Sequence, residues 1–68
     1  MNMIPVSSSN LESVGYEYDQ LYIRFKSGFL YVYYNVPVEV YNALMHAASK
    51  GKFFHANIKN IYQYKRIR

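Results

Sequence analysis

The chain contains no cysteine. No disulfide can staple it and no thiolate zinc site can form, so cohesion must come from packed side chains in a reducing compartment, for which the cytoplasm is the default. Tryptophan is also absent, and no stretch approaches the roughly 20 apolar residues of a membrane span. The opening segment MNMIPVSSSN has neither the basic start nor the apolar run of a secretory signal, which argues against export. Glycine (three) and proline (two) are scarce, so each one punctuates the chain informatively. Acids are scarcer than bases, with four Asp and Glu against eight Lys and Arg, a net charge of +4.

Aromatic and aliphatic content is ample. Hydrophobic residues make up 51% of the 68, including nine Tyr and four Phe. A chain this short buries only about 60% of the surface its unfolded form exposes, which allows one core and no second domain. The bases are unevenly placed. Residues 1–49 hold Glu12, Glu17, Asp19 and Glu39 against Arg24 and Lys26, whereas residues 50–68 hold Lys50, Lys52, Lys59, Lys65, Arg66 and Arg68 with no acid. Such a block is the footprint of a nucleic-acid or other anionic partner, or else a solvated tail that aids solubility.

Residues 1–8, with Pro5 and the run Ser7, Ser8, Ser9 beginning in it, read as a flexible lead-in to a single domain over 9–68. From Leu11 the pattern has period two: Val14, Tyr16 and Tyr18 alternate with Gly15 and Glu17, then Leu21, Ile23 and Phe25 with Tyr22, Arg24 and Lys26. Ser27-Gly28 suits a tight hairpin and leads into an aromatic, β-branched run at 29–34. A two-residue loop there pairs Phe25 with Leu30, Ile23 with Val32 and Leu21 with Tyr34, making that face apolar. An equally tight loop at Asp19-Gln20 sets Tyr18, Tyr16 and Val14 beside Leu21, Ile23 and Phe25. Pro37 then opens a helix expected over 37–49, with Glu39 at its positive end and Val40, Tyr41, Leu44, Met45 and Ala48 on one face opposite His46. Gly51 supplies its C-cap. Phe54, Ile58 and Ile61 at helical spacing predict a second helix over 52–61. The expected fold is α+β, a three-stranded antiparallel meander over 11–34 followed by two short helices, with 62–68 a candidate C-terminal edge strand.

Several motifs in combination resemble the KTSC domain family: Ser8-Ser9-Asn10, Gly15-Tyr16, the Leu-x-Ile-x-Phe-x-x-Gly strand at 21–28, Tyr31-x-Tyr33, Val36-Pro37, Ser49-Lys50-Gly51-Lys52-Phe53-Phe54 and Ile58-Lys59. The resemblance spans about residues 6–65. The family takes its name from the C-terminus of some lysyl-tRNA synthetases and also occurs as stand-alone small bacterial proteins, the form this chain resembles. What the resemblance implies is a suggestion of RNA binding.

The register above leaves Tyr22, Arg24, Lys26, Phe29, Tyr31 and Tyr33 on the sheet face away from the core. Aromatics interleaved with cations are how sheet modules stack unpaired bases and hold phosphates. The expected binding residues are therefore Tyr22, Arg24, Lys26, Tyr31 and Tyr33 on the sheet, with Lys50, Lys52, Lys59, Lys65, Arg66 and Arg68 from the basic block. The competing reading is that helices or tail cover this face, making Tyr31 and Tyr33 structural. Ser49-Lys50-Gly51-Lys52 is either an anion site at a helix start or, the favoured reading, a glycine cap flanked by solvated lysines, and it lacks P-loop spacing. His46 and His55 have no metal-ligand spacing, though His55 borders the basic face, and a metal site would need three or four ligands. Glu17 and Asp19 fall at a turn. No catalytic residue, metal ligand or cofactor site is expected. The expectation is a small non-enzymatic nucleic-acid-binding module, most plausibly for RNA, or alternatively a protein-interaction or self-associating adaptor using the same aromatic face, as a monomer or weak homodimer off the membrane.

Overall fold

The computed structural model describes residues 2–68. Its elements are β1 (Ile4–Pro5), β2 (Leu11–Glu17), β3 (Gln20–Phe25), β4 (Leu30–Tyr33), α1 (Val38–His46), α2 (Lys50–Asn57) and β5 (Tyr64–Arg66). The strands form one antiparallel sheet in the order of the chain, β1-β2-β3-β4-β5, and both helices lie in the β4–β5 connection. The fold is α+β as expected, and the tail does add an edge strand. Instead of three strands and a candidate fourth there are five among the described residues, because Ile4 and Pro5, in the segment read as a lead-in, pair with Val14 and Ser13.

The two hairpins decide which side chains meet. Between β2 and β3, Glu17 pairs with Gln20, so the loop is Tyr18-Asp19 rather than Asp19-Gln20. Both loop residues have positive φ, 51° and 63°, as the mirror-image turn that matches strand twist requires. Val14 and Tyr16 consequently face Ile23 and Leu21, two positions from the expected partners and so on the expected side. Tyr18 leaves the apolar face altogether and is 89% exposed. An irregularity between Leu11 and Ser13 inserts Glu12 as an extra residue, which lets Leu11 and Val14 both point into the core.

Between β3 and β4 the loop has three residues, not two. The Phe25 amide donates to the Phe29 carbonyl and the Gly28 amide to that of Phe25, each at 2.9 Å, with Gly28 at φ 101°. The extra residue moves the register by one: Leu21 pairs with Tyr33, Tyr22 with Val32, Ile23 with Tyr31 and Arg24 with Leu30. Since strand side chains alternate, a one-residue slip exchanges the faces. Tyr31 and Tyr33 therefore lie with Leu21 and Ile23 on the helix-covered face, and the expectation that they occupy the opposite face is corrected. Tyr33 is 3% exposed and Tyr31 partly buried against the core.

The core unites Leu11, Val14, Leu21, Ile23, Tyr33 and Val36 with Leu44 from α1, and with Phe54 and Ile58 from α2 and its end. Helix α1 packs Val40, Tyr41 and Met45 around Leu44, with His46 exposed, as its periodicity predicts. It stops at Ala47, short of Ser49, and Ala48 is exposed instead of packed. Gly51 does not cap α1; it lies inside α2, which starts at Lys50 because the Ser49 hydroxyl accepts a hydrogen bond from the Lys52 amide at 3.4 Å. Helix α2 ends at Asn57, so the chain turns before Ile61, which is 63% exposed, and Tyr62 packs against the core in its place.

Candidate functional site

The aromatic residues of the helix-covered face continue outward from the core into a cleft. Tyr31 and Tyr33, neighbours on one face of β4, lie with ring centres 6.4 Å apart. Tyr64, which pairs with Tyr33 across β4 and β5, sits 5.6 Å from each. Phe25 meets Tyr31 edge-on at 5.5 Å, and Phe54 meets Tyr33 at 5.4 Å and Phe25 at 5.5 Å. Phe54 and Tyr33 are buried, whereas Tyr64, on a short edge strand, is 57% exposed. Burial, reinforced by the neighbouring Tyr31 and Tyr64 hydroxyls, pushes the Tyr33 phenol well above its usual range.

Polar residues from four separate segments surround that floor and enclose a cavity of about 390 Å³. Ser9 and Asn10 come from the loop before β2, Lys26 and Ser27 from the β3–β4 turn, His55 from α2, and Lys59 and Asn60 from the turn that follows. No aspartate or glutamate lines it. The Asn10 carbonyl accepts from the Lys26 amide at 2.9 Å, and the Ser8 hydroxyl accepts from the amides of Asn10 and Leu11 at 3.3 Å. The first bond fastens the N-terminal loop to the hairpin, and the other two shape the loop itself. A Cβ at Gly51 would lie 3.7 Å from the Ser8 hydroxyl and 3.8 Å from the Asn10 amide, ordinary contact distances, so α2 lies against that loop without requiring a glycine there.

The expected binding residues divide into several groups. Lys26, Tyr31, Tyr33 and Lys59 converge in the cleft. Tyr22, Arg24 and Lys65 lie on the opposite, helix-free face, where Tyr22 and Lys65 flank Val32; there the Tyr22 hydroxyl donates to Gln20 at 2.7 Å and Arg24 Nη1 to the Gly28 carbonyl at 3.4 Å. The basic block does not form one surface. Lys50 Nζ donates to the Ala47 carbonyl at 3.3 Å, at the negative end of α1. Lys52 is exposed on α2, the Arg66 guanidinium lies 4.8 Å from the centre of the Phe29 ring, and the Arg68 carbonyl accepts from Leu30. Ser9, Asn10, Asn60 and Tyr64 were not among the expected site residues. Only the Ser8-Ser9-Asn10 motif signalled any of them, and nothing in their own neighbourhoods marks Asn60 or Tyr64. Among the described residues no group of three or more His, Cys, Asp or Glu comes together to hold a metal ion, and no helix is long and apolar enough to cross a membrane.

Fold and cleft together define a small α+β domain: an antiparallel meander closed on one face by a helical pair, with a cation-rimmed aromatic cleft where turn, helix and edge strand meet. The chain belongs to the KTSC domain family, whose model matches residues 7–65. It is similar to the KTSC domain protein of Yersinia pestis in its crystal structure, with a TM-score of 0.91 at 38% identity, covering 98% of this chain and 97% of that one. A protein of Stutzerimonas stutzeri is 43% identical over 98% of this chain and 99% of its own length. A lysine–tRNA ligase of Nostoc is 40% identical over 47 residues, which are 69% of this chain and 8% of the ligase.

Proposed function

We propose that this domain is a non-enzymatic RNA-binding module and that its binding surface is the cleft rather than the helix-free sheet face. The observation that carries the reading is the lining of the cleft: an aromatic floor of Tyr31, Tyr33 and Tyr64, rimmed by Lys26, Lys59 and His55 with no acid among them. Each stacked base contributes about 1–3 kcal/mol on such a floor, and lysines add phosphate contacts that release counterions. The similar segment within a protein named for joining lysine to tRNA supports an RNA partner over other polyanions.

The test is a nuclear magnetic resonance titration with short single-stranded RNA and DNA oligomers at several salt concentrations. Amides at 9–11, 26–28 and 55–60 should shift, and affinity should fall as salt rises. Shifts confined to the face of Tyr22, Arg24 and Lys65 would place the site elsewhere. No shift with any oligomer, together with a partner captured equally well after nuclease treatment, would favour the adaptor reading.

A further inference from the structure

How much RNA the cleft takes follows from its size. Sheet modules that track single strands offer an open groove spanning roughly 4–16 nucleotides. This cavity, at about 390 Å³, falls at the lower end of the roughly 300–1,000 Å³ in which proteins hold one small molecule. It is lined by the N-terminal loop, the hairpin turn, α2 with its following turn, and Tyr64, and its volume is that of one small ligand rather than of a run of nucleotides.

Its chemistry is also divided in a way that suits one ligand with two ends. Tyr64 presents an exposed ring beside Tyr31, a stacking surface. Lys26 and Lys59, on different elements, are both on the rim, which supplies two cations for an anionic group. Asn10 and Asn60 carry amides that both donate and accept hydrogen bonds, as the polar edge of a base or a ribose hydroxyl demands.

From this geometry we infer that the cleft is a socket for a single nucleoside monophosphate unit, its base on Tyr64 and Tyr31 and its phosphate between Lys26 and Lys59. The inference rests on the RNA reading and narrows it. The unit is either a free nucleotide or one unpaired nucleotide of an RNA chain, since both present the same base, ribose and phosphate.

The experiment titrates the full chain with AMP, GMP, CMP and UMP, with ribose 5-phosphate and inorganic phosphate as base-free controls, and with RNA oligomers of two and eight nucleotides. Amide shifts supply both location and affinity. At least one mononucleotide should move the amides of 9–10, 26–28 and 55–60, with the base-free controls binding at least about fivefold more weakly, the lower bound for one stacked base. Tyr64→Ala should weaken mononucleotide binding by roughly 5- to 150-fold. Lys26→Gln combined with Lys59→Gln should weaken it while leaving the thermal midpoint near that of the parent. An oligomer binding more than tenfold tighter through the same amides identifies a nucleotide within RNA as the occupant, and equal affinity identifies the free nucleotide. Equal binding of inorganic phosphate and mononucleotide would overturn the socket. So would an octamer that binds across a wider surface while mononucleotides move nothing, and in that case RNA binding stands. If no probe binds at the cleft, both readings fall.

Discussion

Tyr33 and Tyr64 show how differently two tyrosines of one cluster behave. Tyr33 is almost fully buried between Phe54 and its β4 neighbour, while Tyr64, directly opposite on the edge strand, is mostly in solvent. Tyr33→Ala should cost about 3–5 kcal/mol in cavity and lost burial, a large part of the roughly 3–10 kcal/mol available to a domain of this length. Tyr64→Ala should change stability by less than about 1 kcal/mol, and urea unfolding of the two variants distinguishes them. The phenols also set an alkaline limit. Tyr33 is raised chiefly by burial, and Tyr16 by burial and by its hydrogen bond to Asp19. Above about pH 10, the ordinary tyrosine range, the unfolded chain loses protons that the folded chain keeps, so stability is full below that pH and declines above it. Urea midpoints measured from pH 8 to 11 should fall at the alkaline end, and Tyr33→Phe should flatten the fall. A variant declining as steeply as the parent would show that Tyr33 ionises normally when folded.

At the scale of elements, two loops govern the fold. The three-residue β3–β4 loop depends on Gly28 at φ 101°, where an added Cβ meets nothing within 4 Å. Gly28→Ala should therefore cost only the backbone penalty of a left-handed residue, about 1–2 kcal/mol, with no steric contribution. The β2–β3 loop places a tyrosine where glycine or asparagine is preferred, since Tyr18 has φ 51° and an exposed ring. Tyr18→Asn should stabilise the domain by about 0.5–1 kcal/mol, and a loss in chemical denaturation would show that the exposed ring contributes something to the fold. The same hairpin is tied to the start of α1. The Tyr16 hydroxyl donates to the Val36 carbonyl, the Val36 amide donates to the Asp19 carbonyl at 2.9 Å, and Tyr16 stacks on Tyr41 at 4.9 Å. That junction sets where the helices begin and hence where α2 meets the cleft.

Across the whole molecule, three of the four acids gather at one end of the strands. Glu17 ends β2, Asp19 lies in the β2–β3 loop and Glu39 lies in the first turn of α1, near the junction just described. Lys26 lies beyond the other end of β3, roughly 20 Å away for a strand of this length. The cleft thus opens at the end of the sheet away from these three acids; the fourth, Glu12, is exposed next to Leu11 at the cleft end but does not line the cleft. If RNA binds in it, Lys26→Gln and Lys59→Gln should each reduce the slope of log affinity against log salt by about 0.7, and Lys52→Gln, outside the cleft, should leave it unchanged. Equal effects from all three would mean that the charge acts only as a diffuse field.

The sequence by itself determined that this is one α+β domain, that Leu21 and Ile23 are core, which side of α1 is buried, and that aromatic and basic groups are plentiful. Those conclusions follow from local periodicity, which survives errors in detail: the β2–β3 register differs by two residues from expectation, and period-two alternation leaves Val14 and Tyr16 on the expected face. The side of the sheet taken by Tyr31 and Tyr33 had no such protection. Leu30, Val32 and Tyr34 are as apolar as Tyr31 and Tyr33, so β4 reads equally well either way up, and a single added loop residue inverted it. The gathering of Asn10, Lys26, Asn60 and Tyr64 around one cavity likewise came only from tertiary structure. Their positions are set by hairpin length, by the Asn10–Lys26 backbone bond and by β5 returning to β4, and none of these leaves a mark in the residues adjoining them.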